Sequence, residues 1–149
     1  MKNKILYTLY IYITVTLFGC SGFEISDNGD LDGMWHLVSA DSIGVNCPTI
    51  DLKHEGIFWS VQDKLLSLED KTQKNQNIFM RFSHEGTILK TFDPYINHHR
   101  EQAEEKTEDV NLLRPFGINA LNEQFVVERL DGEEMILQSN LLRLKFIRY

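Results

Sequence analysis

Residues 124–148 read QFVVERLDGEEMILQSNLLRLKFIR, and this stretch decides the fold. Apolar residues alternate with polar ones: Phe125 and Val127, then Met135 and Leu137, then Leu142, Leu144 and Phe146. A period of two puts each set on one face of a strand. The breaks between the sets are turn-like. Asp131-Gly132 is a hairpin signal, its glycine expected to supply the positive φ of a tight turn, and Ser139-Asn140 is a weaker one. Links this short require neighbouring strands to pair antiparallel.

The pattern continues toward the N-terminus. Ile57, Trp59 and Val61 oppose Phe58, Ser60 and Gln62, and Ile78, Met80 and Phe82 oppose Phe79, Arg81 and Ser83. The pairs Trp35/Leu37, Leu66/Leu68 and Ile88/Phe92 extend it, with turns at Asp63-Lys64 and Glu85-Gly86. About eight strands follow, near 33–40, 55–62, 64–69, 76–84, 87–92, 124–130, 133–138 and 141–148. The predicted fold is all-β: an antiparallel up-and-down meander closed into a barrel, since closure removes unpaired edges.

Two segments interrupt the meander. Asn97–Asp109 (NHHREQAEEKTED) holds helix formers without an apolar stripe and reads as a solvated excursion or a mobile loop. Asn111–Gln124 (NLLRPFGINALNEQ) is too apolar for an idle loop, with Leu112, Leu113, Phe116, Ile118 and Leu121. Asn119 is a capping residue for one short helix near 118–123, and the stretch is expected to pack over a mouth of the barrel.

The N-terminus carries an address. Met1-Lys2-Asn3-Lys4 is basic, and Ile5–Phe18 is apolar but too short to span a bilayer comfortably. Residues 1–19 therefore read as a signal peptide, 20–30 as a polar tether and 31–149 as one domain. Leu17-Phe18-Gly19-Cys20 resembles the lipobox of bacterial lipoproteins. That resemblance implies lipid attachment at Cys20 and membrane anchoring through the acyl chains. Ser21, where inner-membrane retention favours aspartate, implies the outer membrane, on either its periplasmic or its surface face. Cleavage removes Lys2 and Lys4, taking 15 basic residues to 13 against 22 acidic ones and the net charge from −7 to −9. A surface of that sign repels phosphate backbones and argues against nucleic-acid partners. With Cys20 acylated, Cys47 is left alone and forms no internal disulfide.

Gly33-Met34-Trp35 opens the first strand. A Gly-x-Trp in that place, followed by a β meander, resembles the lipocalins and the wider calycin superfamily. The segments LLRPFG (112–117) and LRLKF (142–146) make the layout similar to small lipocalin-like lipoproteins. The resemblance implies that Trp35 closes one end of the barrel behind Gly33, with Arg143 or Arg148 lying across its ring. The chain departs from the lipocalin pattern in a first loop of only moderate length (42–54) and in placing its large excursion mid-chain.

The side chains capable of chemistry are scattered. His36, His54, His84, His98 and His99 show no metal-ligand spacing, so no metal or cofactor is implied. The carboxylates crowd the tether, loops and turns, no nucleophile elbow or phosphate loop occurs, and no enzyme is expected. The aromatics Trp59, Phe82, Phe92, Phe116 and Phe125 are the candidate lining of a cavity. An eight-stranded barrel has the width at which side chains either fill it or leave room for one small ligand. The first expectation is a monomeric binding module for a small hydrophobic ligand under the 95–121 segment. The alternative is a filled barrel, an accessory or structural lipoprotein that meets another envelope protein through the outer faces of Phe58, Phe79 and Leu65.

Overall fold

The computed structural model describes residues 27–44, 48–98 and 105–149. The signal peptide, Cys20, Cys47 and His99 lie outside them. Ten strands form one sheet: β1 (Gly33–Ser42), β2 (Thr49–Asp51), β3 (Ile57–Gln62), β4 (Leu65–Asp70), β5 (Ile78–Glu85), β6 (Ile88–Ile96), β7 (Glu105–Lys106), β8 (Glu123–Leu130), β9 (Glu134–Gln138) and β10 (Leu142–Arg148). Eight of them run in the order β1-β3-β4-β5-β6-β8-β9-β10, all pairs antiparallel, and β10 closes the barrel onto β1 from Trp35↔Arg148 to Ser42↔Leu142. The strands lie where the alternation placed them. β2 and β7 are short additions within the two longest connections, pairing with β1 and β6.

The two ends of the barrel differ. Short hairpins at 63–64, 86–87 and 131–133 gather at the end that holds the start of β1. The described parts of the connections 43–56, 71–77 and 97–122 gather at the other. Asp63 and Gly86 make their turns with positive φ, but Gly132 does not. The β8–β9 turn is tied instead by the Asp131 carboxylate, which accepts from the backbone N–H groups of Glu133 and Glu134 and from Arg129. Those bonds hold the Asp131 carboxyl down to about 2.

Three bulges adjust the alternation, each where one strand carries an extra residue. One lies between Leu37 and Ser39 in β1, one between Val127 and Arg129 in β8. The third is in β6, where Asp93 adopts φ +50° opposite the Phe79/Arg81 step. It sets the inward face of β6 to Leu89 and Thr91 before the bulge and Pro94 after it. Ile88 and Phe92, paired above as an apolar face, therefore lie on the outer side, half-buried. The short helix of the long connection falls N-terminal to the 118–123 window. Its helical turns are of the 3-10 type, at Val110–Leu112 and Arg114–Phe116, with Asp109 capping the first through the N–H of Asn111. Pro115 suits such a turn because it needs no backbone donor there.

Among the described residues, every member of the central core lies between Leu31 and Phe146. A soluble form starting at Ser21 thus keeps all of this described core. At the long-connection end, the buried Asp70 carboxylate ties the β4–β5 loop, accepting from the backbone and hydroxyl of Thr72 and from the backbone and side-chain amide of Asn75. Burial alone would raise its pKa; the four hydrogen bonds outweigh that and hold it below the ordinary carboxylate value. A folded-state pKa below the unfolded one contributes stability that is present above the unfolded value and lost as pH falls through the folded one. Asp70→Ala is expected to cost about 1–3 kcal/mol at neutral pH by stranding these donors. In urea melts the gap between variant and parent should narrow below pH ~4; a gap constant down to pH ~2 would contradict the assignment.

Candidate functional site

The predicted cavity residues do come from different walls of one interior. Trp59 and Phe125 are fully buried, Phe82 nearly so, and Phe116 enters from the 3-10 turn of the long connection. Trp59 sits at their centre. Its indole ring meets Phe125 edge-on at 5.9 Å between centroids and Phe146 at 4.9 Å, and its Nε1 donates to the Phe116 carbonyl at 3.1 Å. That bond satisfies a polar atom that would otherwise be stranded in an apolar interior. Leu113 and Ile118 are also fully buried beside Phe116, so residues 110–118 form a plug at the long-connection end. Gly117, with φ +85°, packs directly on Leu144. Phe92 does not join the set; it lies outside the wall.

Trp35 marks the opposite end. It is fully buried, its Nε1 donates to the Leu31 carbonyl at 2.9 Å, and the Arg148 guanidinium lies 4.4 Å from its ring centroid. Arg148 also donates to the carbonyls of Asp30 and Asp32 at 2.6 and 2.8 Å. A side chain on Gly33 would stand 2.5 Å from the Arg148 guanidinium, so glycine there makes room for this contact. Arg143 is elsewhere, on the outer surface, paired with Glu128 and facing Asp41. The difference is one of strand parity: Arg148 ends β10 opposite Trp35, whereas Arg143 lies opposite Asp41. Arg148→Ala is expected to lower stability by about 1–2 kcal/mol, losing a cation–π contact and two charge-assisted hydrogen bonds. Arg143→Ala, removing a surface pair, is expected to cost at most about 1 kcal/mol. Equal urea midpoints for the two variants would refute this ranking.

The outer faces carry features that sequence reasoning missed. Phe58 is buried rather than exposed, stacked on His36 at 4.6 Å and met edge-on by Tyr149 at 5.0 Å. Phe79 is half-buried and Leu65 exposed. Burial lowers the pKa of His36, whose Nε2 has no hydrogen-bond partner. Beside it, β2 folds against β1 and makes an outer groove of about 620 Å³ floored by Val38 and Ile147, with Lys53 and Lys145 at its sides. A second depression, of about 650 Å³, opens at the rim beside the plug. Neither has a periodic signal in the sequence: the first joins β1 and β2 to β10 at the far end of the chain, and the second needs β8 and β9 to pair before its residues meet. Of the other histidines, His98 faces Glu105 at 3.6 Å and His84 has a buried, unpartnered Nε2. Among the described residues no three His, Cys, Asp or Glu side chains group as metal ligands, and no helix is long and apolar enough to cross a membrane.

Comparison with known proteins agrees with this architecture. Two solved structures share the fold. One is a lipocalin-like protein from Bacteroides uniformis ATCC 8492, with TM-score 0.58 and 20% identity over 81% of this chain and 100% of that one. The other is an uncharacterized protein from Bacteroides eggerthii DSM 20697, with TM-score 0.54 and 17% identity over 79% of this chain and 98% of that one. A search among curated proteins finds no match. The family model described as a lipocalin-like domain matches residues 15–149, which spans the entire barrel, and the chain belongs to that family.

Proposed function

We propose that this chain is a lipid-tethered accessory domain of the bacterial cell envelope, anchored to the outer membrane through Cys20. In this reading the barrel is a filled monomeric scaffold, and its rim and outer face contact another envelope component. The observation that carries the reading is the interior around Trp59. Its ring is in contact with Phe125 and Phe146 and hydrogen-bonded to the plug, and fully buried side chains come from both ends and nearly every wall strand. A ligand of drug size needs roughly 300 Å³ or more. The two depressions described above that offer such room lie outside the wall.

One observation favours a second reading, a small hydrophobic ligand inside the barrel. Phe116 and Ile118 belong to a connection and not to a wall strand. A plug that swung out would vacate space beside Trp59, Phe82 and Phe125, in keeping with the lipocalin-like fold. Titrating the soluble form from Ser21 with cis-parinaric acid separates the two. The filled-scaffold reading expects no saturable rise in probe fluorescence. Saturable one-to-one uptake with quenching of tryptophan emission that is lost in Trp59→Phe would establish the second reading in its place. Anchoring is tested independently: labelled palmitate should enter the full chain in a bacterial host and fail to enter Cys20→Ser.

A further inference from the structure

The depression at the rim has an unusual chemistry. It lies between the end of the long connection, the start of β8, the end of β9 and the β9–β10 turn. Five of its lining side chains are carboxamides: Asn119, Asn122, Gln124, Gln138 and Asn140. Asn119 Nδ2 is buried without a hydrogen-bond partner. Among the described residues the other four amide groups are likewise committed to no hydrogen bond. The lining holds no lysine or arginine. Its single carboxyl, Glu123, is turned to internal use, accepting from the N–H of Asn119, and burial raises its pKa toward the neutral form. Val126 and Leu141, 45% and 58% exposed, give the depression an apolar border.

A carboxamide presents a donor and an acceptor side by side, and so does each pair of vicinal hydroxyls on a sugar ring. Five amides lining one depression that holds no lysine or arginine fit a partner rich in hydroxyls. An anion would find no cation here, and the one carboxylate is already taken up by the N–H of Asn119. An extended peptide would also present donors and acceptors, but it seeks a free strand edge. Both edges of β8 are already paired, with β6 and β9, and β9 pairs with β10. The exposed Val126 and Leu141 suit the C–H face of a sugar ring, which is apolar.

We propose that this amide-lined rim depression binds a neutral oligosaccharide. The proposal rests on the reading that contacts are made outside the barrel, and it names the chemical class of the partner. The test is isothermal titration of the soluble form from Ser21 with maltohexaose, cellohexaose, xylohexaose and mannohexaose, with N-acetyl-tetra-alanine amide as a peptide probe. At least one of the saccharides is expected to bind with a Kd below about 1 mM. Gln124→Ala and Asn140→Ala, both at exposed positions, should each weaken it about tenfold while leaving the thermal unfolding curve in place. Gln73→Ala, in the β4–β5 loop, should leave binding unchanged. The proposal is overturned if none of the four saccharides binds at about 5 mM, if binding survives both rim variants, or if only the peptide binds. The parinaric-acid titration reports separately on the barrel interior, so failure of the saccharide site and failure of the filled-scaffold reading remain distinguishable.

Discussion

Trp59→Ala should destabilise the protein by about 3–5 kcal/mol, the largest effect expected of any single substitution here. The indole is fully buried, and removing it opens a cavity bounded by Phe125, Phe146 and the plug. It also strands the Phe116 carbonyl, whose partner is the indole N–H. Trp59→Phe separates the two contributions. It keeps most of the packing and loses the hydrogen bond, so about 1–3 kcal/mol of the loss should remain. Urea unfolding followed by far-UV circular dichroism reads both. A loss below about 1 kcal/mol for Trp59→Ala would mean that the interior is loose enough to collapse around the gap, contrary to a filled barrel. A small hydrophobic molecule such as benzene should bind the alanine variant if the gap stays open, as apolar cavities of that kind do.

Gly117→Ala is expected to cost about 2–4 kcal/mol, an unusually large effect for a single added methyl. Two causes act together. At φ +85° a side chain is strained whatever surrounds it, and the new carbon would lie 2.8 Å from both terminal methyls of Leu144. Leu144 is itself fully buried and has little room to yield. The change should loosen residues 110–118 before it unfolds the barrel, so amide hydrogen exchange ought to rise first at Leu113, Phe116 and Ile118. Pairing it with Leu144→Ala should give a double variant more stable than the sum of the single losses by about 1–2 kcal/mol, because the steric part disappears. Strict additivity would place the whole cost in the backbone.

How much of this was legible in the sequence varies with the length scale of the cause. The eight wall strands were readable because a period of two is local, and hairpin residues such as Asp63 and Gly86 punctuate it. Phe92 was misplaced because Ile88 and Leu89 are adjacent apolar residues, and either face of β6 satisfies the local pattern. Its orientation is fixed by pairing, Leu89 against Phe125 on one side and His84 on the other, and by the bulge at Asp93. The apolarity of 111–124 revealed a covering segment, but the helical turns moved upstream to Pro115, which tolerates a first-turn position where Asn119 was expected to cap. Whether the interior is hollow is not a local property at all. It depends on the summed volumes of side chains from all eight strands and the plug. The amide set at the rim spans 119–140 with no periodicity, so only the closing of β8 on β9 and β10 brings it together.

The contacts of Arg148 with Asp30 and Asp32, together with the Tyr149 N–H bonded to the Met34 carbonyl, draw the two termini of the domain to one pole. The plugged rim is the other pole. The wall strands are five to ten residues long and rise about 3.3 Å per residue, so the poles stand roughly 15–30 Å apart. In a protein held by its N-terminal end, this first pole would be the nearer one to the attachment. The plug and the amide-lined depression would then lie at the far pole, and a pull along the tether would reach the Asn28 side-chain bonds to Asp32 and Asp63 before the arginine clasp.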